Sequence, residues 1–172
     1  MGKYADEIDA GAEQLVTSDD LAEAVHSVCY WDLCTVAEMA TFRLQLLASI
    51  VSEQDDGIAH ALKENYKDIL ATWQDVHLKT LQAHNLQLRP GRLAMDDVAY
   101  IVTALAEGFA LRLIAEPDAP VIDHERHRTL YGTACLALIL GCMERVDHPQ
   151  GTTIEQAVQN MIRSDKTDEK EG

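Results

Sequence analysis

Hydrophobic residues along most of the chain recur at intervals of three and four, which is the period of an α-helix. The strict alternation that marks a half-buried β-strand does not occur over any comparable stretch. The pattern therefore predicts an all-α protein. The clearest case is the segment 57–88, where one face carries Ile58, Leu62, Tyr66, Ile69, Trp73, Val76, Thr80 and His84.

Polar clusters divide this pattern into six helices, or seven if the acidic segment 1–17 forms a short helix rather than an ordered arm. The cluster at 17–20 predicts an N-cap for a helix from Leu21. The pattern resets near Asp32, so a second helix is expected from about Cys34 to Ser52. The break at 54–57 then starts the third helix, which Arg89-Pro90-Gly91 ends.

Three further helices are expected in the second half of the chain. One spans 95–115 and stops at Glu116-Pro117. Another begins with Asp123 as its cap and runs to about Val146. The last follows a capping box formed by Thr152 and Glu155. Residues 18–163 are thus predicted to form one helical bundle, and residues 164–172 a disordered tail.

Two helices have too little polar surface for a position at the edge of a bundle. The predicted helix 34–52 is apolar nearly all round, which places it at the centre of the domain. The segment 95–118 has almost no polar face, so we expect its own domain and a second subunit to cover it. Gly108, and Gly141 in the helix after it, favour a close helix–helix contact between subunits; tight packing within one subunit is the alternative.

Charge and cysteine content narrow the possible partners and compartment. The chain has 29 acidic and 14 basic residues, a formal charge of −15, and its basic residues are scattered. This charge argues against nucleic acids and anionic membranes as partners, since binding to either needs clustered Lys or Arg. The four cysteines lie in apolar segments without a C-x-x-C pair, and no signal-peptide core or membrane span is evident. We expect reduced, buried thiols in a cytoplasmic protein.

The candidate chemistry is sparse. No nucleophile elbow, phosphate loop or H-E-x-x-H motif occurs, so no catalytic residue is predicted and the chain is not expected to be an enzyme. His124 and His127, with His148 downstream, are the one metal-like cluster, and a solvated helix start explains them as well. We therefore predict no metal and no cofactor, and keep a metal protein as an alternative. Aromatic residues in the middle helices suit either a packed core or an apolar ligand cavity.

The order of these segments resembles the C-terminal domain of the tetracycline-repressor (TetR) family. The resemblance is carried by VCYWDLCTVAEMATFRLQLLASIVSEQDDGIAHALKENY, by VTALAEGFALRLIAEPD and by LYGTACLALILGCME. It covers about residues 18–146 and rests on the order and spacing of these segments, since each alone is a weak pattern. It implies a helical regulatory domain that binds a small, apolar or amphipathic molecule between its middle helices and dimerises through its two late helices.

Carried over by position, the resemblance implies two sets of residues. The ligand would contact Tyr30, Trp31, Cys34, Phe42, Trp73, His77 and Thr103. The homodimer interface would contain Ala106, Phe109, Ala110, Leu113, Leu138, Gly141 and Cys142. Family members also carry an N-terminal helix-turn-helix head. The 17 residues before the first domain helix show no such motif, so we expect no direct DNA binding by these 172 residues. The alternative function is an acidic helical homodimer that acts as a protein-interaction module without a ligand.

Overall fold

The structure is a computed structural model that describes the backbone of residues 2–164 and the side chains of residues 8–162. It confirms the all-α fold, with 74% of the chain in helices. Its helices are α1 (Gly2–Thr17), α2 (Leu21–Glu38), α3 (Ala40–Val51), a 3-10 turn (Ser52–Gln54), α4 (Asp56–Ala83), α5 (Met95–Ala115), α6 (Leu130–Cys142) and α7 (Ile154–Ser164). Its short strands are β1 (Leu86–Leu88), β2 (Ile122–Asp123), β3 (Arg128–Thr129) and β4 (Met143–Arg145).

Short polar side chains begin several helices, as their sequences predict. Asp20 Oδ1 accepts a hydrogen bond from Glu23 N at the start of α2, at 2.9 Å. Asp55 Oδ1 accepts from the backbone N–H groups of residues 57 and 58 at the start of α4. Asp97 Oδ2 accepts from Ala94 N at 2.8 Å at the start of α5. Each bond satisfies a donor that the helix itself leaves unpaired.

Helix α2 forms the centre of the core. It packs against α1, α5 and α6, and Leu33 on it is completely buried. The break predicted near Asp32 is wrong, because α2 continues through this residue to Glu38. The chain instead turns by 65° at Met39, whose backbone is extended. Asp32 is 3% exposed and lies inside the core.

The predicted central position of the second helix is also wrong. The residues assigned to it divide between the end of α2 and α3, and α3 lies at the surface. Helix α3 packs mainly against α4 and the 3-10 turn, and of its residues Phe42 is the one that is buried. Leu46 is half-buried, and the other large apolar side chains are exposed, among them Leu44, Leu47 and Ile50.

Helix α4 ends five residues earlier than predicted, at Ala83. Asn85 follows with a φ of 55°, the left-handed conformation that commonly ends helices. The next three residues form β1, which pairs antiparallel with β4. The helix predicted to run to Val146 accordingly ends at Cys142. This ribbon was missed because each strand has three residues, too few to show alternation.

The prediction that Asp123 caps a helix is wrong as well. Asp123 lies in β2, which pairs with β3 in a small hairpin. Helix α6 starts at Leu130, and Thr129 Oγ1 caps it by accepting a hydrogen bond from the backbone of residue 132 at 2.9 Å. His127, at the tip of this hairpin, has a φ of 51°. The Pro-rich loop before the hairpin therefore leads to a strand pair rather than directly to a helix.

The two ends of the chain are helical where the structure describes them. Helix α1 packs against α2 and α4, and Leu15 on it belongs to the core. At the other end, the capping box is formed by Thr153 and Gln156, one residue after the predicted pair. Helix α7 extends to Ser164, and the remainder of the tail predicted to be disordered lies outside the described residues.

Helix α5 has a buried inner face and an exposed, mostly apolar outer face. Val98, Val102, Ala106 and Ala110 face the core. By length and composition alone, this 21-residue helix could cross a membrane, although the sequence pattern had indicated no span. A core helix of a soluble protein passes the same test, so α5 is weak evidence for a membrane.

Candidate ligand-binding cavities

Two neighbouring cavities lie inside the bundle, and each has a volume of about 80 Å³. They are separated by a wall to which four residues contribute on both sides: Asp32, Trp73, Val102 and Tyr131. A volume of 80 Å³ equals that of roughly two to three water molecules in the liquid. Pockets for drug-sized ligands are commonly about 300–1,000 Å³. Each cavity therefore accepts a small chemical group as it stands, and a larger ligand needs the wall to move.

The first cavity is almost entirely apolar. His77 is a polar exception, and its ring lies against Trp73 with 6.1 Å between the ring centroids. Burial lowers the pKa of His77 to about 4, so the ring is neutral at pH 7. Its Nδ1 atom is buried and has no hydrogen-bond partner. Apolar side chains from α1, α2, α4, α5 and α6 complete the lining, among them Leu15, Val25, Val28, Leu81, Val98 and Leu138.

Two thiols also line the first cavity. Cys29 on α2 and Cys135 on α6 are both buried and form a side-chain hydrogen bond. That bond and burial raise the pKa of Cys29. The Cys29 thiol is therefore protonated and poorly reactive at neutral pH. This arrangement agrees with the expectation of buried, reduced cysteines, and both are free.

The second cavity is more polar and lies among α2, α3, α4 and α5. Its lining includes the side chains of Gln45, Thr103 and Glu107, together with Asp32 from the shared wall. Thr103 Oγ1 is buried without a hydrogen-bond partner. Burial raises the pKa of Glu107, and a hydrogen bond with Tyr66 opposes that effect. The lining of the second cavity thus combines these polar side chains with apolar and aromatic ones, including Phe42 and Ile69.

Four of the seven predicted ligand-binding residues line these cavities. Phe42 and Thr103 line the second cavity, His77 lines the first, and Trp73 lines both. Tyr30, Trp31 and Cys34 line neither of the two cavities. Trp31 borders an open groove between α1 and α2. These three residues had been assigned to the site by their position in the segments that carry the family resemblance.

Tyr30 packs against the β2–β3 hairpin, where the metal-like histidines lie. Its hydroxyl is 3.0 Å from His124 Nδ1, and its ring centroid is 4.8 Å from that of His127. The two histidines are on a hairpin loop, so they do not share a helix face as the sequence suggested. Among the side chains that the structure describes, no three His, Cys, Asp or Glu come together in a metal-binding arrangement. The histidines instead help to hold the hairpin on α2.

The residues predicted for the dimer interface divide between the inside and the outside of the domain. Ala106, Ala110 and Cys142 are buried in the core, and Leu138 lines the first cavity. The three buried positions cannot contribute much to a surface between subunits, and for them the placement is corrected. The other four are half-buried, and they are Phe109, Leu113, Leu138 and Gly141.

Asp32, Gln45 and Tyr131 belong to the cavities although sequence reasoning did not select them. The signal for Asp32 was present, since it is the one charge amid the apolar residues 28–37. It was interpreted as a helix boundary. Tyr131 is buried at the shared wall, and burial together with the nearby Asp32 carboxyl raises its pKa. Its position on α6 gave no sequence signal, because the predicted helix cap, Asp123, lies six residues before the observed cap, Thr129.

Comparison with known proteins does not add to this picture. No family model, no curated protein and no solved structure matches the chain.

Proposed function

We propose that this chain is the ligand-sensing and dimerisation domain of a TetR-like transcriptional regulator in the cytoplasm. Its ligand is a small amphipathic molecule that binds between α2, α4 and α5. The observation that carries the proposal is the pair of adjacent cavities, together with the unpartnered polar atoms Thr103 Oγ1 and His77 Nδ1 at their walls. The proposal assigns no catalytic role to any residue.

Unsatisfied buried polar atoms favour a bound molecule for an energetic reason. Each costs about 1–3 kcal/mol relative to a hydrogen-bonded group. A ligand with a polar group near Thr103 or His77 recovers part of that cost, and its apolar part gains from contact with Trp73 and Phe42. A ligand larger than 80 Å³ joins the two cavities by displacing Trp73 or Val102 from the shared wall.

The same displacement supplies a sensing mechanism. Val102 and Thr103 lie on α5, so a ligand that separates α5 from α2 shifts the helix that also carries the outer apolar face. The domain would then have two arrangements of α5, one with ligand and one without. A ligand shifts the equilibrium between them only by the difference in its affinity for the two. The cavities in the structure are small, so its arrangement of α5 corresponds to the ligand-free arrangement.

The outer faces of α5 and α6 are the proposed dimer interface. Both helices pack on α2, and they contact each other. Their outer faces expose Ile101, Leu111 and Leu140, the last of which is 80% exposed. A Cβ added at Gly108 or Gly141 meets no described atom within 4 Å apart from the adjacent backbone of its own helix, so a partner helix has room to approach there. This set replaces the inward-facing positions as the centre of the interface.

Native mass spectrometry of the purified protein tests both halves of the proposal, because it reports the subunit count and any co-purified molecule together. We expect a dimer and, in part of the sample, an added mass from a small organic molecule. Sedimentation of Leu140→Glu is expected to give a monomer at micromolar concentration. Leu44→Glu on α3 is the matched control, and it is expected to stay dimeric.

The exposed apolar row on α3 favours the second candidate, a protein-interaction module without a ligand. That candidate predicts the opposite pattern, in which no small molecule co-purifies and Leu44→Glu rather than Leu140→Glu disrupts association. A monomer for the unmodified chain at micromolar concentration contradicts the dimer in both candidates.

A further inference from the structure

We propose that the ligand is an organic cation, such as a substituted ammonium ion, and that the Glu107 and Asp32 carboxyl groups recognise its charge. This inference rests on the proposed function and names the chemical class of its ligand. It assigns the charged part of the molecule to the second cavity and its apolar part to the shared wall and the first cavity.

The charges around the cavities carry the argument. Two carboxylic acids line the second cavity, Glu107 from α5 and Asp32 from α2. Among the described residues that line either cavity, none is Lys or Arg. Nearby basic side chains are engaged elsewhere or lie at the surface; Arg112 of α5, for example, is exposed and pairs with Glu116. An anionic ligand would therefore meet two acidic side chains and no Lys or Arg in the lining of either cavity.

Histidine does not change this balance. His77 is the one histidine among the described lining residues, and its burial keeps it neutral at pH 7, with a pKa of about 4. It supplies a neutral hydrogen-bonding atom rather than a positive charge. The protein as a whole is also strongly acidic, so its long-range field attracts cations and repels anions.

Glu107 is suited to respond to a cation. It is half-buried, and burial raises its pKa because a charged carboxylate is poorly solvated there. A positive charge placed beside it restores the favourable interaction that water supplied. Binding of a cation and ionisation of Glu107 therefore stabilise each other.

Aromatic rings complete the recognition of a cation with an apolar body. Trp73 and Tyr131 belong to the shared wall, and Phe42 faces the second cavity. An ammonium group within about 6 Å of an aromatic ring face is attracted to it, most strongly by Trp. The rings also provide the contact surface for the apolar part, so one molecule satisfies both kinds of lining.

Three probes of similar size and different charge test the inference at pH 7: benzylammonium, ethylbenzene and benzoate. Binding to the full chain is measured by titration of the two tryptophan indole N–H signals in NMR spectra. We expect benzylammonium to bind roughly tenfold more tightly than ethylbenzene, and benzoate to give no saturable shift. Equal affinities for the cation and the neutral probe overturn the inference, and so does tighter binding of benzoate.

Glu107→Gln provides the matched substitution, because it removes the charge and keeps the shape. We expect it to weaken benzylammonium binding roughly tenfold while leaving ethylbenzene binding unchanged. Glu116→Gln, at the exposed C-cap of the same helix, is the control and is expected to change neither affinity. An unchanged benzylammonium affinity in Glu107→Gln overturns the role of this carboxyl. A tertiary structure unchanged by near-ultraviolet circular dichroism shows that the variant is folded.

The two levels of the proposal fail differently. Charge-independent binding of the probes overturns the cation inference and leaves a ligand-binding cavity in place. Absence of binding for all three probes, together with no co-purified molecule, overturns the proposed sensing function itself.

Discussion

Helices α2 and α3 follow one another in the chain, have similar apolar content and have opposite positions in the fold. Helix α2 contains an aspartate and is the buried centre of the domain. Helix α3 is at least as apolar, yet Leu47 on it is 62% exposed and Ile50 is 71% exposed. A high apolar content therefore permits a helix to be buried. Whether the helix is buried depends on how many other elements pack against it.

The neighbours differ for a topological reason. Helix α2 lies against α1, α5 and α6 and is also touched by the β2–β3 hairpin. The turn at Met39 directs α3 away from these elements, and α4 is its main partner. An apolar helix with one packed side leaves its other side to solvent or to another protein chain.

Truncation of one leucine in each helix gives the largest expected difference. Leu33→Ala in α2 is expected to lower the free energy of unfolding by about 3–4 kcal/mol, because it leaves a cavity at a fully buried, close-packed position. Leu47→Ala in α3 is the control, with an expected change within about 0.5 kcal/mol. Urea unfolding followed by circular dichroism measures both. A large loss for Leu47→Ala would mean that α3 is covered in solution.

Helix α4 extends the comparison, since its second half joins the core while its first half lies beside α3. The pKa of His77 in the second half is about 4 in the folded protein, below its unfolded value of about 6.5. The unfolded chain therefore binds more protons between these values. The contribution of this group to stability is complete above pH 6.5 and is lost as the pH falls from 6.5 through 4, by up to about 3 kcal/mol.

His77→Gln should remove this part of the pH dependence. We expect the difference in unfolding free energy between the variant and the unmodified chain to change across pH 6.5 to 4. His60→Gln, at an exposed position in the first half of α4, is the control for replacing a histidine on the same helix. Parallel stability curves for His77→Gln and the unmodified chain would contradict the burial of this ring.

Two glycines on α6 give the smallest expected effect and compare its inner and outer sides. A Cβ at Gly132 would lie 2.9 Å from His26 Nδ1 and 3.4 Å from Cys29 Cβ on α2. Gly132→Ala is therefore expected to destabilise the domain by about 1–2 kcal/mol. Gly141→Ala meets no atom of its own chain within 4 Å and is expected to stabilise the helix by up to about 1 kcal/mol. Thermal unfolding measures the melting temperature of both variants. A higher melting temperature for Gly132→Ala than for Gly141→Ala would refute the assigned orientation of α6.

The candidate site was predictable only in part. Trp73, His77, Phe42 and Thr103 were selected, and they line the cavities. Tyr30 was also selected and packs against the hairpin, and Cys34 was selected and lines neither cavity. Both were carried over from the family resemblance by their position in the chain, which does not fix the direction in which a side chain points. Successive side chains in an α-helix point in directions that differ by about 100°, so neighbouring positions lie on different faces.

The sequence by itself determined the helical class, the acidic charge and most helix starts. Caps such as Asp20 and Asp55 depend on backbone groups within three residues, so local sequence is sufficient to predict them. The tertiary structure decided which apolar faces are buried, that β1 pairs with β4 across 54 intervening residues, and that Asp32 lies at a cavity wall. Those outcomes depend on the packing of segments far apart in the chain, which no local pattern encodes.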